Sequence, residues 1–505
     1  MHLGIKNFVG SVRKHPFGDG SYSGNIIQGG SALTPQASYQ PPDIMPTATA
    51  NTTGTWVFSA STEYGGTPAY AAANDTTPGN SGVNYTTWNS TGVGQVPQWW
   101  QAAKNDGRAE TIDKYTLAAA IGSPLRTPTA FQLWGSNTGA FAGEHTVLDT
   151  QSGLAWSAGQ VRTFPLAAPA TFTHYRIAMT AYGSGGDGYY NIGEVELLPP
   201  AMQNCIVITS AATVAPDATT GAAAFTAQNV CINGGSLAPS TNCKGLIGIV
   251  SGSVRLVNGG RAHIDKLGKA GNFGNLTVLD LVPAGVRRKL KSSLASCVVL
   301  GEGAAGAAGS GGYADGKTGS AAGSLQTGGG GSGGLNGYNP SSSGAGGRGG
   351  PCCGGSGSPG IVSNNTTPHT APAATPHGGP GLAATSDTAT CAAGGGTGDP
   401  PGTGANGGLT PAGAGGGLLM LFTPLLSVAS GCVISADGAA GVTGSNTYQT
   451  GSGGAGGGCV VIGTLSGGCA NSGTVRASGG AGTTGATHKN GGPGGAGSVN
   501  TFTLS

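Results

Sequence analysis

The chain has 505 residues, of which 101 are glycine and only 8% are charged, and its formal net charge is +2. This length suggests about three domains. The low charge excludes the electrostatic footprint expected of a protein that binds DNA or anionic lipid. We interpret the one basic cluster, 286–291 (VRRKLK), as a solvated helix end or loop. Low charge with abundant Gly, Ser, Thr and Ala is typical of an extracellular or particle surface protein, not of a cytosolic enzyme.

Residues 1–50 are polar, contain Pro and Gly and show no periodic pattern, which predicts an N-terminal attachment arm or linker. A simple disordered tail is the alternative. We find no apolar segment of the kind that marks a secretory signal. The longest apolar run, 418–427, is far short of the roughly 20 residues needed to span a membrane, so we expect no membrane insertion. A surface-type composition without a signal fits a particle assembled in the cytoplasm and released by lysis, which favours a virion.

Residues 51–199 differ in character, because all six Trp and most of the Tyr lie here. Short alternating segments separated by Gly, Asn, Ser and Pro predict the strands of a β-sandwich. The predicted strands are 111–117 (TIDKYTL), 130–134 (AFQLW), 162–166 (RTFPL), 173–179 (THYRIAM) and 192–198 (IGEVELL).

The same stretch resembles the discoidin (coagulation factor 5/8 type C) module of the galactose-binding-like superfamily. The resemblance rests on segments in the family's order: 59–77 (SASTEYGGTPAYAAANDTT), 86–90 (TTWNS), 97–101 (PQWWQ), 111–117, 128–139 (PTAFQLWGSNTG), 145–153 (HTVLDTQSG), 159–166 (GQVRTFPL), 174–181 (HYRIAMTA) and 192–197 (IGEVEL). It implies an eight-stranded jelly-roll-like sandwich that binds glycans at loops on one end, with a structural calcium nearby.

Site residues follow from this resemblance. Aromatic faces stack on sugar rings while polar groups pair with hydroxyls, and the candidates on predicted loops are Tyr64, Trp100, Tyr182, Tyr189 and Tyr190, with Arg126 and Asn191 as polar partners. An ordinary surface role is the alternative for each tyrosine. We expect Trp88, Trp99 and Trp134, which fall inside strands, to be core residues, and His145, where the family often has Trp, to be a packing substitution.

The resemblance also implies a calcium site with oxygen ligands at Asn74, Asp75, Thr77 and Glu194. Carboxylate, amide and carbonyl oxygens suit Ca²⁺. The family usually has Asp where this chain has Asn74, and the loss of one negative charge bears on the affinity for Ca²⁺. A solvated charge at a strand end is the alternative for Glu194.

Residues 200–300 are predicted to be a β-rich connector, with strands at 205–208, 246–250, 253–257 and 276–282. Because 252–260 (GSVRLVNGG) resembles 473–480 (GTVRASGG), we group this stretch with residues 301–505 as one repetitive β and glycine-rich body.

The glycine-rich region 301–505 has two interpretations: a linker that never orders, or extended chains of polyproline II geometry that pack almost in contact, as polyglycine II. Short apolar runs at 418–426, 432–434 and 459–462 interrupt the glycines and predict buried strands. Segments 296–306, 431–441 and 473–482 resemble one another, and 417–441 aligns with 458–482 without a gap. Because a disordered linker has no reason to repeat in this way, we favour an ordered body.

The composition and GGxG-type runs of this body also resemble the glycine-rich tip adhesins of T-even-like phage tail fibres. That resemblance implies a sandwich of polyglycine II helices, with residues 361–390 and 443–450 as surface loops that contact a receptor.

No motif of catalysis stands out, and the carboxylates Asp265, Asp280, Glu302 and Asp315 show no spacing that argues for a pair. The ten Cys have no paired C-x-x-C spacing with His, so zinc is not expected. Cys297, Cys432 and Cys459 lie in strand-like runs, where a free Cys acts as a small hydrophobe.

The sequence therefore predicts an all-β, non-enzymatic phage virion surface protein, either a tail fibre or a receptor-binding adhesin, that recognises host surface glycan. Its N-terminal arm would dock to other virion proteins, and several copies, such as a trimer, would raise a weak affinity. A head fibre or capsid decoration protein, a bacterial glycine-rich surface protein and a glycan depolymerase remain as alternatives.

Overall fold

The computed structural model describes residues 26–28, 31–75, 86–91, 97–181, 188–268, 281, 415–441, 453–483 and 490–504, with further short segments between 303 and 363. The chain divides into two compact units, Ser38–Met202 and a second unit made of Met1–Ala37 with Gln203–Ser505. The predicted connector, from Gln203 onward, and the predicted glycine-rich body both fall in this second unit. Across the described ranges no helix is long and apolar enough to cross a membrane.

The first unit is an antiparallel β-sandwich, which confirms the predicted fold class. Strands are numbered along the chain, and those of this unit are β4 (Thr52–Thr53), β5 (Trp56–Ala60), β6 (Trp88–Asn89), β7 (Gln98–Lys104), β8 (Glu110–Ala118), β9 (Ala130–Ser136), β10 (Thr146–Gln151), β11 (Val161–Phe172), β12 (His174–Ala181), β13 (Asn191–Ile192) and β14 (Glu194–Leu198). Two single 3₁₀ turns, Ala69–Ala72 and Pro124–Arg126, lie between them.

Two sheets enclose the core of the sandwich. One sheet has the order β10-β9-β12-β7-β5-β4 and the other has the order β11-β8-β14, while β13 pairs with β6. Side chains alternate between the two faces of a strand, so Trp100, Phe131 and Ile177 of the first sheet meet Tyr115 and Leu117 of the second in one buried cluster. The aromatic residues concentrated in 51–199 supply much of this core.

The second unit is a three-faced parallel β-solenoid with five coils. Its strands are β15 (Met202–Ile208), β16 (Ala211–Val214), β17 (Ala223–Ala227), β18 (Asn229–Asn233), β19 (Ser236–Pro239), β20 (Leu246–Val250), β21 (Ser253–Val257), β22 (Arg261–His263), β25 (Leu418–Phe422), β26 (Leu425–Val428), β27 (Val433–Ser435), β28 (Cys459–Leu465), β29 (Cys469–Asn471), β30 (Thr474–Arg476) and β31 (Ser498–Leu504). A short parallel pair, β23 (Leu335–Gly337) and β24 (Ile361–Ser363), lies in the insertion between β22 and β25.

Each solenoid strand pairs in parallel with the strand one coil later. The three faces run β15-β18-β21-β26-β29, β16-β19-β22-β27-β30 and β17-β20-β25-β28-β31. Inward side chains from all three faces form one apolar cluster. All five residues of β25 are buried, as expected for parallel strands that are covered on both sides.

The repeats noted in the sequence have two outcomes. Leu418 pairs with Cys459 and Val433 with Thr474, both 41 positions apart, so the alignment of 417–441 with 458–482 is confirmed on two faces. On the remaining face Leu426 pairs with Cys469, a shift of two residues. The similar segments 252–260 and 473–480 lie in the same unit, as their grouping predicted, but on different faces, since they contain β21 and β30. The predicted strand 276–282 and the repeat at 296–306 lie almost wholly outside the described residues.

Within the predicted N-terminal arm 1–50, the described residues 26–28 and 31–39 include three short strands. Strand β1 (Ile26–Gln28) pairs antiparallel with β16 and with β2 (Ser31–Ala32). This addition covers the edge of a solenoid face that would otherwise expose unpaired backbone groups. Strand β3 (Gln36–Tyr39) crosses the boundary between the two units.

The glycine-rich segments between solenoid strands pack backbone against backbone, and we name those at 303–305, 317–329, 349, 354–355, 436–441, 453–458, 477–483 and 490–497, together with 415–417, the glycine layer. Within it Gly328 N donates to Gly457 O at 2.8 Å, and Gly456 N donates to Gly355 O at 2.7 Å. A Cβ on Gly456 would lie 2.1 Å from Gly328 O, so only glycine permits this approach. Lateral hydrogen bonding of extended glycine segments agrees with the ordered interpretation.

Candidate functional site

A small aromatic patch lies on the sandwich surface, and we name Tyr64, Arg126 and Tyr189 the loop patch. Tyr64 is 51% exposed, and its ring meets that of Tyr189 edge to face, with 5.7 Å between centroids. The Arg126 guanidinium carbon lies 5.1 Å from the centroid of the Tyr189 ring. Three of the seven predicted glycan-binding residues, distant in sequence, are thus brought together.

The backbone around the loop patch is fixed by hydrogen bonds. Tyr64 N donates to Asn89 O at 2.9 Å, and Thr67 Oγ1 donates to Tyr64 O at 2.6 Å. Arg126 belongs to the 3₁₀ turn Pro124–Arg126, in which its N–H donates to Ser123 O at 3.1 Å. The backbone that carries Tyr64 and Arg126 is therefore fixed before any ligand arrives.

Three other predicted glycan contacts are wrong, because their side chains are buried. Trp100 is 1% exposed and its Nε1–H donates to Ala69 O at 2.9 Å, so it is a core residue of β7. Tyr190 and Asn191 are both fully buried. Asn191 Nδ2 donates to Asn89 Oδ1, which joins β13 to β6. The seventh candidate, Tyr182, lies outside the described residues.

Of the predicted calcium ligands, Asn74, Asp75 and Glu194 are described, and Asp75 lies close enough to the Glu194 carboxylate for its charge to act on it. Glu194 is buried, and neither of its carboxylate oxygens accepts a hydrogen bond of acceptable geometry from the part of the chain that is described. Burial, followed by the charge of Asp75, raises the pKa of Glu194 to about 9, while the backbone N–H of Asp75 acts in the opposite direction. Thr77, the fourth predicted ligand, lies outside the described residues.

The chemistry of this pocket fits a hard cation. Asp75 accepts a hydrogen bond from Thr47 Oγ1 and has a left-handed backbone (φ 53°), which turns the chain sharply at this point. Asn74 is buried and supplies an amide. No group of three or more His, Cys, Asp and Glu suited to a metal occurs in the described ranges. A cation here would therefore depend on amide and backbone oxygens beside the carboxylates, a donor set that Ca²⁺ accepts.

The outer face of the six-stranded sheet carries aromatic side chains that the sequence analysis placed in the core. Trp88 is buried as predicted, but Trp99 and Trp134 are only partly buried and are absent from the core cluster. Neighbouring residues of a strand face opposite ways, so Trp99 must point outward when Trp100 points inward. His145 stacks on Trp134 with 4.1 Å between centroids, which is the packing role predicted for it.

Asp265, one of the four carboxylates for which the sequence predicts no pairing, belongs to a charged network. Asp265 accepts hydrogen bonds from Arg261 and from Asp437 N, the latter at 2.7 Å. Asp437 in turn pairs with Arg476 Nε at 2.7 Å. The network joins three successive coils along the face that contains β22, β27 and β30. Because each carboxylate has an arginine partner, we assign it a structural role.

The remaining carboxylate candidates do not join this network. Asp315 accepts a hydrogen bond from Asn490 N at 2.8 Å within the glycine-rich part of the unit. Asp280 and Glu302 lie outside the described residues.

Comparison with known proteins gives fold-level similarities. No protein-family model matches the chain, and no curated protein matches it. The family 32 carbohydrate-binding module of Clostridium perfringens NanJ, solved with galactose, shares 17% identity at a TM-score of 0.23, and the match covers 28% of this chain and 93% of that chain.

Two further solved structures are of the same kind. The Clostridium perfringens module CpGH89CBM32-5, solved with GalNAc-β-1,3-galactose, shares 18% identity at a TM-score of 0.24, over 29% of this chain and 96% of that chain. The family 32 module of Streptococcus pneumoniae EndoD shares 15% identity at a TM-score of 0.23, over 29% of this chain and 96% of that chain.

Proposed function

We propose that this chain is a glycan-binding surface protein whose sandwich unit binds sugar at the loop patch. The observation that carries the proposal is the convergence of Tyr64, Tyr189 and Arg126, with an exposed ring held on fixed backbone. Aromatic rings are flat, apolar and poor in rotamers, so they stack on the apolar face of a sugar at low entropic cost. The guanidinium beside them can donate to ring hydroxyls.

We further propose that Ca²⁺ binds at Asn74, Asp75 and Glu194 in a structural role. Support comes from the buried Glu194 carboxylate, whose oxygens accept no well-aligned hydrogen bond from the described residues. A bound Ca²⁺ would supply the compensating charge, and the protein side chains would hold the 74–75 turn against β14. The ion would then stabilise the sandwich without touching the sugar.

In this proposal the protein binds and does not catalyse. The described carboxylates of the solenoid each accept a hydrogen bond from an arginine or a backbone N–H, which supports structural roles for them over the paired acid and base of glycoside hydrolysis. A glycan depolymerase would release reducing sugar from host polysaccharide, so an assay for reducing ends on incubation with the full chain tests this alternative directly.

We propose a virion surface location, as a tail fibre or adhesin, on composition and on the resemblance of the glycine-rich region. The ordered glycine layer favours a rigid appendage over a flexible linker. Copy number and position on purified particles, by quantitative mass spectrometry and immunogold labelling, would separate a tail fibre from a head fibre or capsid decoration protein. A bacterial surface protein would instead be found on cells that carry no phage.

The glycan proposal is tested with the full chain on an array of host-envelope glycans, followed by calorimetric titration of those that bind. We expect Tyr189→Ala and Tyr64→Ala each to weaken binding by about tenfold, since each removes a stacking contact worth roughly 1–2 kcal/mol. Val147→Ala is the matched control, because Val147 on β10 is similarly exposed (46%) but is not part of the loop patch. Undiminished binding by both tyrosine variants would reject the loop patch as the site.

A further inference from the structure

An arginine on the outer face of the six-stranded sheet is clamped between aromatic rings. The guanidinium carbon of Arg176 lies 3.7 Å from the Phe141 ring centroid and 4.1 Å from that of Trp99. Trp134 lies directly opposite Arg176 on β9, and Gln101 lies opposite it on β7. We name Trp99, Trp134, Phe141 and Arg176 the arginine cradle.

The backbone at Phe141 is strained in a way that maintains the cradle. Phe141 has a φ of 51°, a left-handed conformation that is unusual for an aromatic residue. Its N–H donates to Glu144 Oε1 at 2.7 Å, and Ser136 Oγ donates to the same oxygen at 2.8 Å. Strain of this kind persists where the surroundings fix it, and it is concentrated at ligand clamps and active sites. Here it places the Phe141 ring over the guanidinium.

Among the described residues, no carboxylate lies within ion-pair distance of Arg176. Its Nε and Nη2 both donate to the neutral Gln101 Oε1, at 3.0 and 2.7 Å. The one described carboxylate whose charge acts on it is Glu144, which is beyond ion-pair distance and is held by Ser136 and the Phe141 N–H. Within the described ranges the second terminal nitrogen, Nη1, has no hydrogen-bond acceptor. A half-buried guanidinium usually has an anionic partner.

We infer that the arginine cradle is a second ligand site, distinct from the loop patch, that binds an acidic saccharide. The planar fork of an arginine fits a carboxylate in two parallel hydrogen bonds. Trp99, which is partly exposed beside the guanidinium, offers apolar ring surface for the sugar. Charge and stacking surface together favour a uronate or sialate residue over a neutral hexose. Because the two sites share no residue, this inference does not depend on the proposed function of the loop patch.

The test compares charged and neutral forms of the same sugars. We would titrate the full chain with oligomers that contain galacturonate, glucuronate or N-acetylneuraminate, each beside its methyl ester, by calorimetry at low and high salt. We expect at least one acid to bind about tenfold or more tightly than its ester, because charge-assisted bonds to carboxylate are roughly twice as strong as neutral ones. We also expect this affinity to fall as salt rises.

Variants then place the binding. Arg176→Gln and Arg176→Lys should each weaken acid binding by about tenfold, the second because lysine keeps the charge but lacks the fork. Gln101→Glu should abolish acid binding without loss of thermal stability, because it gives Arg176 an internal carboxylate. Arg162→Gln is the matched control: Arg162 also lies over a tryptophan, Trp156, at 4.7 Å, but it is not in the cradle. It should bind the acid within twofold of the unmodified chain.

Several results would overturn the inference. Equal affinity for acid and ester, no binding of any acid in the panel, or unchanged binding by both Arg176 variants and by Gln101→Glu would each reject an acidic-saccharide site. Equally tight binding of a polyglutamate peptide would assign the cradle to acidic peptides instead. Loss of acid binding in Tyr189→Ala, with Arg176 variants unaffected, would move the anion to the loop patch and reject the cradle.

Discussion

The packing of the glycine layer leads to a specific prediction for Gly456, where substitution by alanine adds only one methyl group. The added Cβ would lie 2.1 Å from Gly328 O and 2.5 Å from Gly328 C. Non-bonded carbon atoms normally stay about 3.5 Å apart or more, so the two segments must separate by about 1 Å. The atoms in the way are backbone, which cannot rotate aside.

The cost follows from the hydrogen bonds that this separation would stretch. Gly328 N–Gly457 O and Gly355 N–Gly328 O are both 2.8 Å long, and a shift of about 1 Å takes each beyond the roughly 3.2 Å limit of a good bond. Each buried group left unsatisfied costs about 1–3 kcal/mol. Alanine also restricts the unfolded chain, which offsets only about 0.4–1 kcal/mol. We therefore expect Gly456→Ala to lower the free energy of unfolding by at least about 2 kcal/mol.

The assay is guanidinium unfolding monitored by circular dichroism, together with hydrogen exchange of peptides that cover 453–465. Gly323→Ala is the control, because its added Cβ would meet only the end of the Gln326 side chain, at 2.9 Å, which can rotate away. We expect this control to stay within about 0.5 kcal/mol of the unmodified chain. If Gly456→Ala behaves like Gly323→Ala in both measurements, the backbone packing described for the layer is refuted.

Four further predictions concern other parts of the molecule. In the presence of a chelator, the folded chain keeps a proton on Glu194 up to its raised pKa of about 9, whereas the unfolded chain releases that proton near the usual pKa of a carboxyl group. The free energy of unfolding should therefore decrease as the pH rises from about 5 to 9. Calcium should raise the melting temperature more at the upper end of this pH range, and Glu194→Gln should remove both effects. In a urea titration, Phe422→Ala should lower the free energy of unfolding by about 3–5 kcal/mol because Phe422 is 1% exposed. Leu425→Ala, at an exposed position of the next strand, should lower it by less than about 0.5 kcal/mol. Asp265→Asn should cost about 1–3 kcal/mol by removing the anion that Arg261 contacts, a loss that should shrink at high salt. At pH 8, peptide mapping after brief alkylation should find Cys469 modified and Cys459 protected, because Cys469 is exposed while burial raises the pKa of the Cys459 thiol to about 11.

The sandwich was predictable in outline because its strands alternate with period two. The segments 111–117 and 130–134 correspond to β8 and β9 almost residue for residue. The face of the sheet to which each side chain points was harder to predict, because a shift of one residue along the strand exchanges the buried and the exposed face. Trp99 and Trp100 are adjacent in β7, and the sequence alone does not say which of them faces the core. The prediction placed the wrong one at the surface, and it therefore missed Arg176 and the cradle.

The solenoid was only partly predictable, for a different reason. The parallel ladders join residues far apart in sequence, such as Cys205 with Asn229 and Leu418 with Cys459. The strongest local signal is an apolar run such as 418–426, and such a run does not show that the chain turns a corner within it. Thr423 and Pro424 separate β25 from β26, so one predicted strand is two strands on different faces. Short β-branched strands followed by glycine also resemble each other on every face, which explains why 252–260 resembles 473–480 although the two lie on different faces.

The positions of the glycine segments within the coils explain why these segments can stack at all. In the last three coils the connection from the second face to the third is enlarged: β22 to β25, β27 to β28, and β30 to β31. These connections leave the solenoid at the same corner, so successive segments emerge one coil apart and run beside each other. Insertions in a solenoid tend to collect on one face, and here glycine lets neighbouring insertions use one another's backbone groups as hydrogen-bond partners. Because every coil closes through its own ladders, the corner segments can lengthen without disturbing the strands, as the long insertion between β22 and β25 illustrates.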